Sequence, residues 1–120
     1  SQQTLTMQMA MKVADIGHCC LEEEQHRAWV DRLEEEFFRQ GDEEKGLNMT
    51  VSPLMDRSHP GASNPENQAG FFNVIVLPLL RSWVKAFPAC DQLLHQAEAN
   101  YSCWKARSDC KQINHSADVV

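Results

Sequence analysis

Apolar residues recur at helical spacing in four stretches of the chain. From Thr4 to Ile16, Leu5, Met7, Met9, Met11, Val13 and Ile16 sit among good helix formers with no proline. Their alternation resembles that of a strand, but Ala10, Lys12 and Ala14 favour a helix, and Gly17 is placed to end it as a C-cap. A second helix is expected from about Glu22 to Gln40. Trp29, Leu33 and Phe37 recur there every four residues with Val30 beside them, Glu22, Glu23 and Glu24 suit the positive end of the helix, and Gly41 supplies a stop. A third begins near Pro65 or Glu66 and runs to Phe87, with a kink expected at Pro78. Asp91 is positioned to cap a fourth, in which Leu94, Ala97 and Tyr101 share a face and Trp104 ends the stripe.

Residues 42–65 are polar and broken by Gly46, Pro53, Pro60, Gly61 and Pro65, so they are expected to form a loop, and a loop this long in a small domain often carries function. After Arg107 the periodicity fades. Residues 1–107 therefore read as the folded portion of an all-α helical bundle, and residues 108–120 as a disordered tail.

Length and charge narrow the possibilities. A chain of 120 residues makes about one domain with one modest core. A net charge of -6 with no basic cluster excludes nucleic acid as an expected partner. The longest uncharged apolar run, Phe71 to Leu80, is short of the ~20 residues a membrane span requires, so no span is expected. Nothing at the N-terminus has the plan of a signal peptide, and Ser1 is not an initiator methionine, so the chain is expected to be a piece of a longer protein. Five cysteines without regular spacing fit reduced thiols and an intracellular, cytoplasmic setting. The Asn-x-Ser/Thr matches at Asn48, Asn100 and Asn114 carry no weight, because so short a pattern often arises by chance.

Two places invite a chemical reading. Asp15, His18, Cys19 and Cys20 are all metal-ligand types, yet adjacent cysteines rarely turn both sulfurs to one ion, and Cys103 and Cys110 form no convincing second pair. Cys19 and Cys20 are expected to be small buried thiols. Asp15 is different, because a carboxylate at the negative end of a helix needs a cation or a donor to offset it. Gln68 precedes the most apolar helix, either as a surface residue of its first turn or as an amide offered to a planar ligand edge with Phe71 to stack on it. Nucleophilic catalysis lacks support, since Ser52 and Ser58 stand in no nucleophile motif and His26 and His59 are paired with them only by assumption.

Taken in order, "MKVADIGH", "WVDRLEEEFFRQGDEEKG", "VSPLMDR", "NQAGFFNVIVLPLLRSWV" and "NYSCW" closely resemble the C-terminal half of the catalytic domain of class I 3',5'-cyclic nucleotide phosphodiesterases, over about residues 7–104. The resemblance implies the C-terminal part of a multi-helix domain that hydrolyses cAMP or cGMP to the 5'-monophosphate. It also implies two divalent metal ions, zinc and magnesium, that hold a bridging hydroxide and neutralise charge on the phosphoryl group.

By that resemblance Asp15 matches a zinc-binding aspartate. Gln68 matches the glutamine that meets the purine edge, and Phe71 and Leu33 match the two sides of a clamp on the base, with Ile75, Leu54 and Trp29 around the pocket. His18 departs from the family, where most relatives carry asparagine beside the base, so base selectivity is affected. The segment "SHPGASNPE" is also slightly longer than usual, which alters the loop at the pocket entrance. The family's remaining metal ligands and its general-acid histidine have no counterpart here, so no catalytic residue is assigned within the chain. One carboxylate cannot hold a catalytic zinc that needs about three protein ligands. The chain alone is expected to be inactive, to depend on the missing N-terminal half of the domain and to take a cyclic nucleotide as substrate. The alternative reading is a non-catalytic phosphodiesterase-like interaction or scaffold module.

Overall fold

The computed structural model describes residues 1–117, with side chains described through His115. It is all-α, with no strand among the described residues. Helix α1 spans Gln2–Asp15, and Ser1 caps it by accepting from the Thr4 N–H at 3.3 Å. A 3-10 turn over Gly17–Cys20 leads into α2, Glu23–Gly46. After a loop, α3 spans Pro65–Phe71, a π turn covers Phe72–Val76, α4 spans Leu77–Ala86, a second 3-10 turn covers Pro88–Cys90, and α5 spans Asp91–Ala117. Helix α5 packs along α3, α4 and the first 3-10 turn. The core lies at that junction and is built from Cys19, Val30, Ala69, Phe72, Val76, Leu77, Leu80, Ala97 and Trp104.

Three boundaries differ from the sequence reading, each for a physical reason. Helix α1 ends at Ile16 in a right-handed conformation, and no glycine has a positive φ, so Gly17 opens the 3-10 turn instead of capping the helix. Helix α2 passes through Gly41 to Gly46. Gly41 is buried inside it because the Met55 carbonyl lies where a Cβ would be, so the glycine serves a close backbone approach. Helix α5 continues to Ala117, past the expected tail start at residue 108; no glycine or proline interrupts it, and Lys105 pairs with Asp109 one turn on at 3.1 Å. Asp118, Val119 and Val120 lie outside the described residues.

The irregularity expected around Pro78 takes the form of a π turn. A proline removes one backbone donor and crowds the carbonyl four residues earlier. The helical run absorbs this with the π turn at Phe72–Val76 just before α4, where Pro78 occupies an early-turn position. Among the described residues, the combined run Pro65–Ala86 is the one element long and apolar enough to cross a membrane by length and composition. Its Phe72, Val76, Leu77 and Leu80 supply core side chains, so the run gives no clear span.

Loop 47–64 is strapped to α2 along its length. Lys45 reaches Asp56 at 2.7 Å, and Arg57 bonds both Glu35 and Asp42 at 2.9 Å. Ser52 donates its N–H and hydroxyl to Glu44 at 2.7 and 2.8 Å. Lys45, followed by Ser58, holds the Asp56 carboxyl below its ordinary range. Each exposed pair contributes little, but together they determine where the loop crosses α2.

Candidate functional site

A cavity of about 470 Å³ opens between the end of α1, α2, loop 47–64 and α3. Asp15, His18, Trp29, Leu33, Leu54, Gln68 and Phe71 all line it. Ile75 does not: it sits in the π turn and is 48% exposed. The Trp29, Leu33 and Phe37 stripe of α2 faces this cavity instead of the core, and the core side of α2 carries His26 and Val30. Leu54 holds its place in the wall at φ 66°, a conformation costly for a leucine that the strapped loop imposes.

Gln68 is almost fully buried although polar. Its Nε2 donates to the Ala62 carbonyl at 2.9 Å, while its Oε1 is the buried side-chain polar atom left without a partner among the described residues. An unpaired buried acceptor costs about 1–3 kcal/mol and calls for a ligand donor or a water. With the ring of Phe71 and the side chain of Leu33 in the same walls, the cavity suits a flat, mostly apolar group that has a hydrogen-bonding edge.

Behind the cavity lies a cluster the sequence did not disclose. The Trp104 indole N–H, which can only donate, bonds His26 Nε2 at 2.9 Å. His26 Nε2 must therefore be the unprotonated nitrogen. Its Nδ1 carries the proton and donates to the His18 carbonyl at 3.0 Å, with His18 Nδ1 at 3.2 Å. The rings of His18 and His26 stack at 5.3 Å. Burial, and after it the neighbouring His18, pulls the His26 pKa down to about 4; burial also lowers that of His18. Asn100, buried in α5, donates to the carbonyls of Cys19 and Leu21 at 2.9 and 2.8 Å and so ties the 3-10 turn to α5.

His18, Cys19 and His26 bring three potential metal-ligand atoms within 4.8 Å of one another. Two features oppose an ion there. The Cys19 sulfur is 3.9 Å from both ring nitrogens of His18, so it lies on the lone-pair axis of neither. Freeing His26 Nδ1 for a metal would move its proton to Nε2 and set two donors face to face at Trp104. Burial, with a smaller push from Cys20, also raises the Cys19 thiol to about 12, as expected of a packing residue. Asp15 stands apart: it is the last residue of α1, is exposed at the cavity, and its carboxylate makes no hydrogen bond or ion pair among the described residues. It fits as one oxygen ligand of a divalent cation, and the chain supplies no further set around it among the described residues.

The family model for 3'5'-cyclic nucleotide phosphodiesterases matches residues 1–97. Among curated relatives, a probable 3',5'-cyclic-AMP phosphodiesterase of Caenorhabditis elegans is 32% identical over 84% of this chain and 15% of its own length. The human cGMP-inhibited 3',5'-cyclic phosphodiesterase 3A is 41% identical over 72% of this chain and 7% of its own. A 3',5'-cyclic-AMP phosphodiesterase of Dictyostelium discoideum is 37% identical over 70% and 8% respectively. The chain thus spans a small fraction, 7 to 15%, of these relatives.

Proposed function

Because the chain belongs to the 3',5'-cyclic nucleotide phosphodiesterase family, we propose that it forms the base-binding wall and supplies one metal aspartate of an enzyme that hydrolyses 3',5'-cyclic nucleotides to 5'-monophosphates. The observation that carries this reading is the buried, unpartnered Gln68 Oε1 in a cavity walled by Phe71 and Leu33. A purine edge supplies the missing donor, and the two apolar side chains hold the ring faces. Trp29, Leu54 and His18 complete the wall, with His18 in the place where the family's asparagine approaches the base. Ile75 takes a role here only if the rest of the domain folds over the π turn.

Asp15 would hold one of two divalent ions, zinc and magnesium in this proposal, and the remaining ligands come from the part of the domain outside this chain. When bound, the metals supply an activated hydroxide and neutralise phosphoryl charge. The exposed apolar residues of α1, Leu5, Met7 and Met11, together with Val74 of the π turn, support a surface covered by that missing portion. Five unpaired cysteines support a reducing, intracellular setting.

In the full-length protein, Asp15→Ala is expected to abolish metal-dependent hydrolysis of cAMP and cGMP. Gln68→Ala is expected to weaken nucleotide binding by ~1–3 kcal/mol, the worth of a buried hydrogen bond. Wild-type turnover in the Asp15 variant would refute the metal role, and no hydrolysis by the wild-type full-length protein would favour a non-catalytic module.

A further inference from the structure

A 3',5'-cyclic nucleotide carries a negative charge on its phosphodiester, whereas the chain carries a net charge of -6. The local charge at the cavity therefore bears on how readily such an anion arrives. Asp15, Arg32 and Glu36 are the charged side chains among the lining residues, and Arg32 is the one cation. His18 also lines the cavity, but burial lowers its pKa and leaves it neutral at pH 7. Other cations of α2 and of the loop strapped to it are engaged. Arg39 and Arg57 both hold Glu35, Arg57 also reaches Asp42, and Lys45 reaches Asp56. Glu35, three residues beyond Arg32, is thus already occupied.

Arg32 makes no ion pair among the described residues. Its guanidinium lies over the ring of Trp29, 5.2 Å from the centroid. Trp29 stands one turn earlier on α2 and lines the same cavity. A ring face attracts a cation without neutralising it, and a guanidinium keeps its proton at any working pH. Arg32 is also exposed, so its charge is presented at the cavity mouth, with exposed Glu36 one turn further along α2.

We infer that Arg32 is the capture residue of this site: held over Trp29 at the mouth, its unpaired charge draws the anionic phosphodiester of a cyclic nucleotide into the cavity, against the repulsion of Glu36. This rests on the cyclic-nucleotide reading above and goes beyond it, to association instead of the chemical step. The attraction acts through solvent, so it is strong at low salt and screened at high salt.

The test is steady-state hydrolysis of cAMP and cGMP by the purified full-length protein as wild type, Arg32→Gln, Arg32→Lys and Glu36→Gln. Each is measured at ionic strengths of ~0.02 M and ~1 M, between which the screening length falls from about 20 Å to about 3 Å. Arg32→Gln should lower kcat/KM by about three- to tenfold at low salt and by less than about twofold at high salt, with kcat little changed. Arg32→Lys keeps the charge and should stay within about twofold of wild type at both. Glu36→Gln removes the repelling charge, so it should raise kcat/KM at low salt and converge on wild type at high salt. A purely structural part for Arg32 in the rim predicts a loss that salt leaves unchanged and that lysine shares. Either of those results, or a Glu36→Gln change of the same sign as Arg32→Gln, overturns the assignment. The two levels separate cleanly: no hydrolysis of either nucleotide by wild type sinks the cyclic-nucleotide reading, whereas wild-type hydrolysis beside an unmoved Arg32→Gln sinks only the capture role.

Discussion

Acidification should weaken this fold through one residue, His26. In the folded chain it is fully buried, accepts from Trp104 and titrates at about 4, whereas an unfolded histidine titrates near 6.5. The unfolded state therefore binds a proton at a pH where the folded state does not. Stability is complete above about pH 6.5, falls as the pH drops toward 4, and takes no further loss from this group below that. The gap corresponds to a few kcal/mol in full, most of it already lost by pH 4.5. His18, whose pKa burial also lowers, shifts stability in the same direction. Two measurements check this. The His26 ring proton signal, followed by NMR across pH 3 to 8, should move near 4. Urea unfolding at pH 7 and pH 4.5, read by tryptophan fluorescence, should lose more stability in wild type than in His26→Gln, whose amide can take the Trp104 and His18 bonds without titrating. A His26 signal that titrates at 6 or above, or equal losses in the two proteins, would refute the tautomer argument.

Three further outcomes follow from the packing. Asn100→Ala leaves the Cys19 and Leu21 carbonyls without their donor and should cost about 1–3 kcal/mol in denaturant unfolding. Gly41→Ala drives a Cβ into the Met55 backbone, which cannot move aside as a side-chain tip can; a loss of ~1–3 kcal/mol and faster proteolysis within loop 47–64 are expected. Alkylation at pH 8, followed by mass spectrometry, should label exposed Cys110 first and spare Cys19, which is buried and has its thiol pushed up to about 12.

The helices were legible because their signals are local: apolar residues at three- and four-residue steps, acidic residues at the start of α2, and a proline at the start of α3. The glycines were not. A glycine ends a helix in one context and admits another backbone in the next, and only the position of Met55 distinguishes the two at Gly41. The Trp29, Leu33 and Phe37 stripe was visible as a stripe, but whether it faces the core or a cavity depends on how the loop returns over it. At the site, Gln68 and Phe71 stood out by residue type and by their place in the apolar helix. The protonation of His26 did not, because it is set by Trp104, 78 residues away in the chain. The grip on Gln68 comes from a backbone carbonyl, which has no signature in residue identity.

The π turn at Phe72–Val76 sets the rotation between the two halves of one helical run. A turn of this kind holds an extra residue, so every side chain beyond it is rotated by roughly 100° from where an unbroken α-helix would point it. Before it, Gln68 and Phe71 look into the cavity; after it, Leu77 and Leu80 look into the core. Removing a single residue between 72 and 76 would let the helix regularise and would swing one of those two faces off its target. In this segment chain length is constrained as well as side-chain identity, since Phe72 and Val76 are themselves core residues.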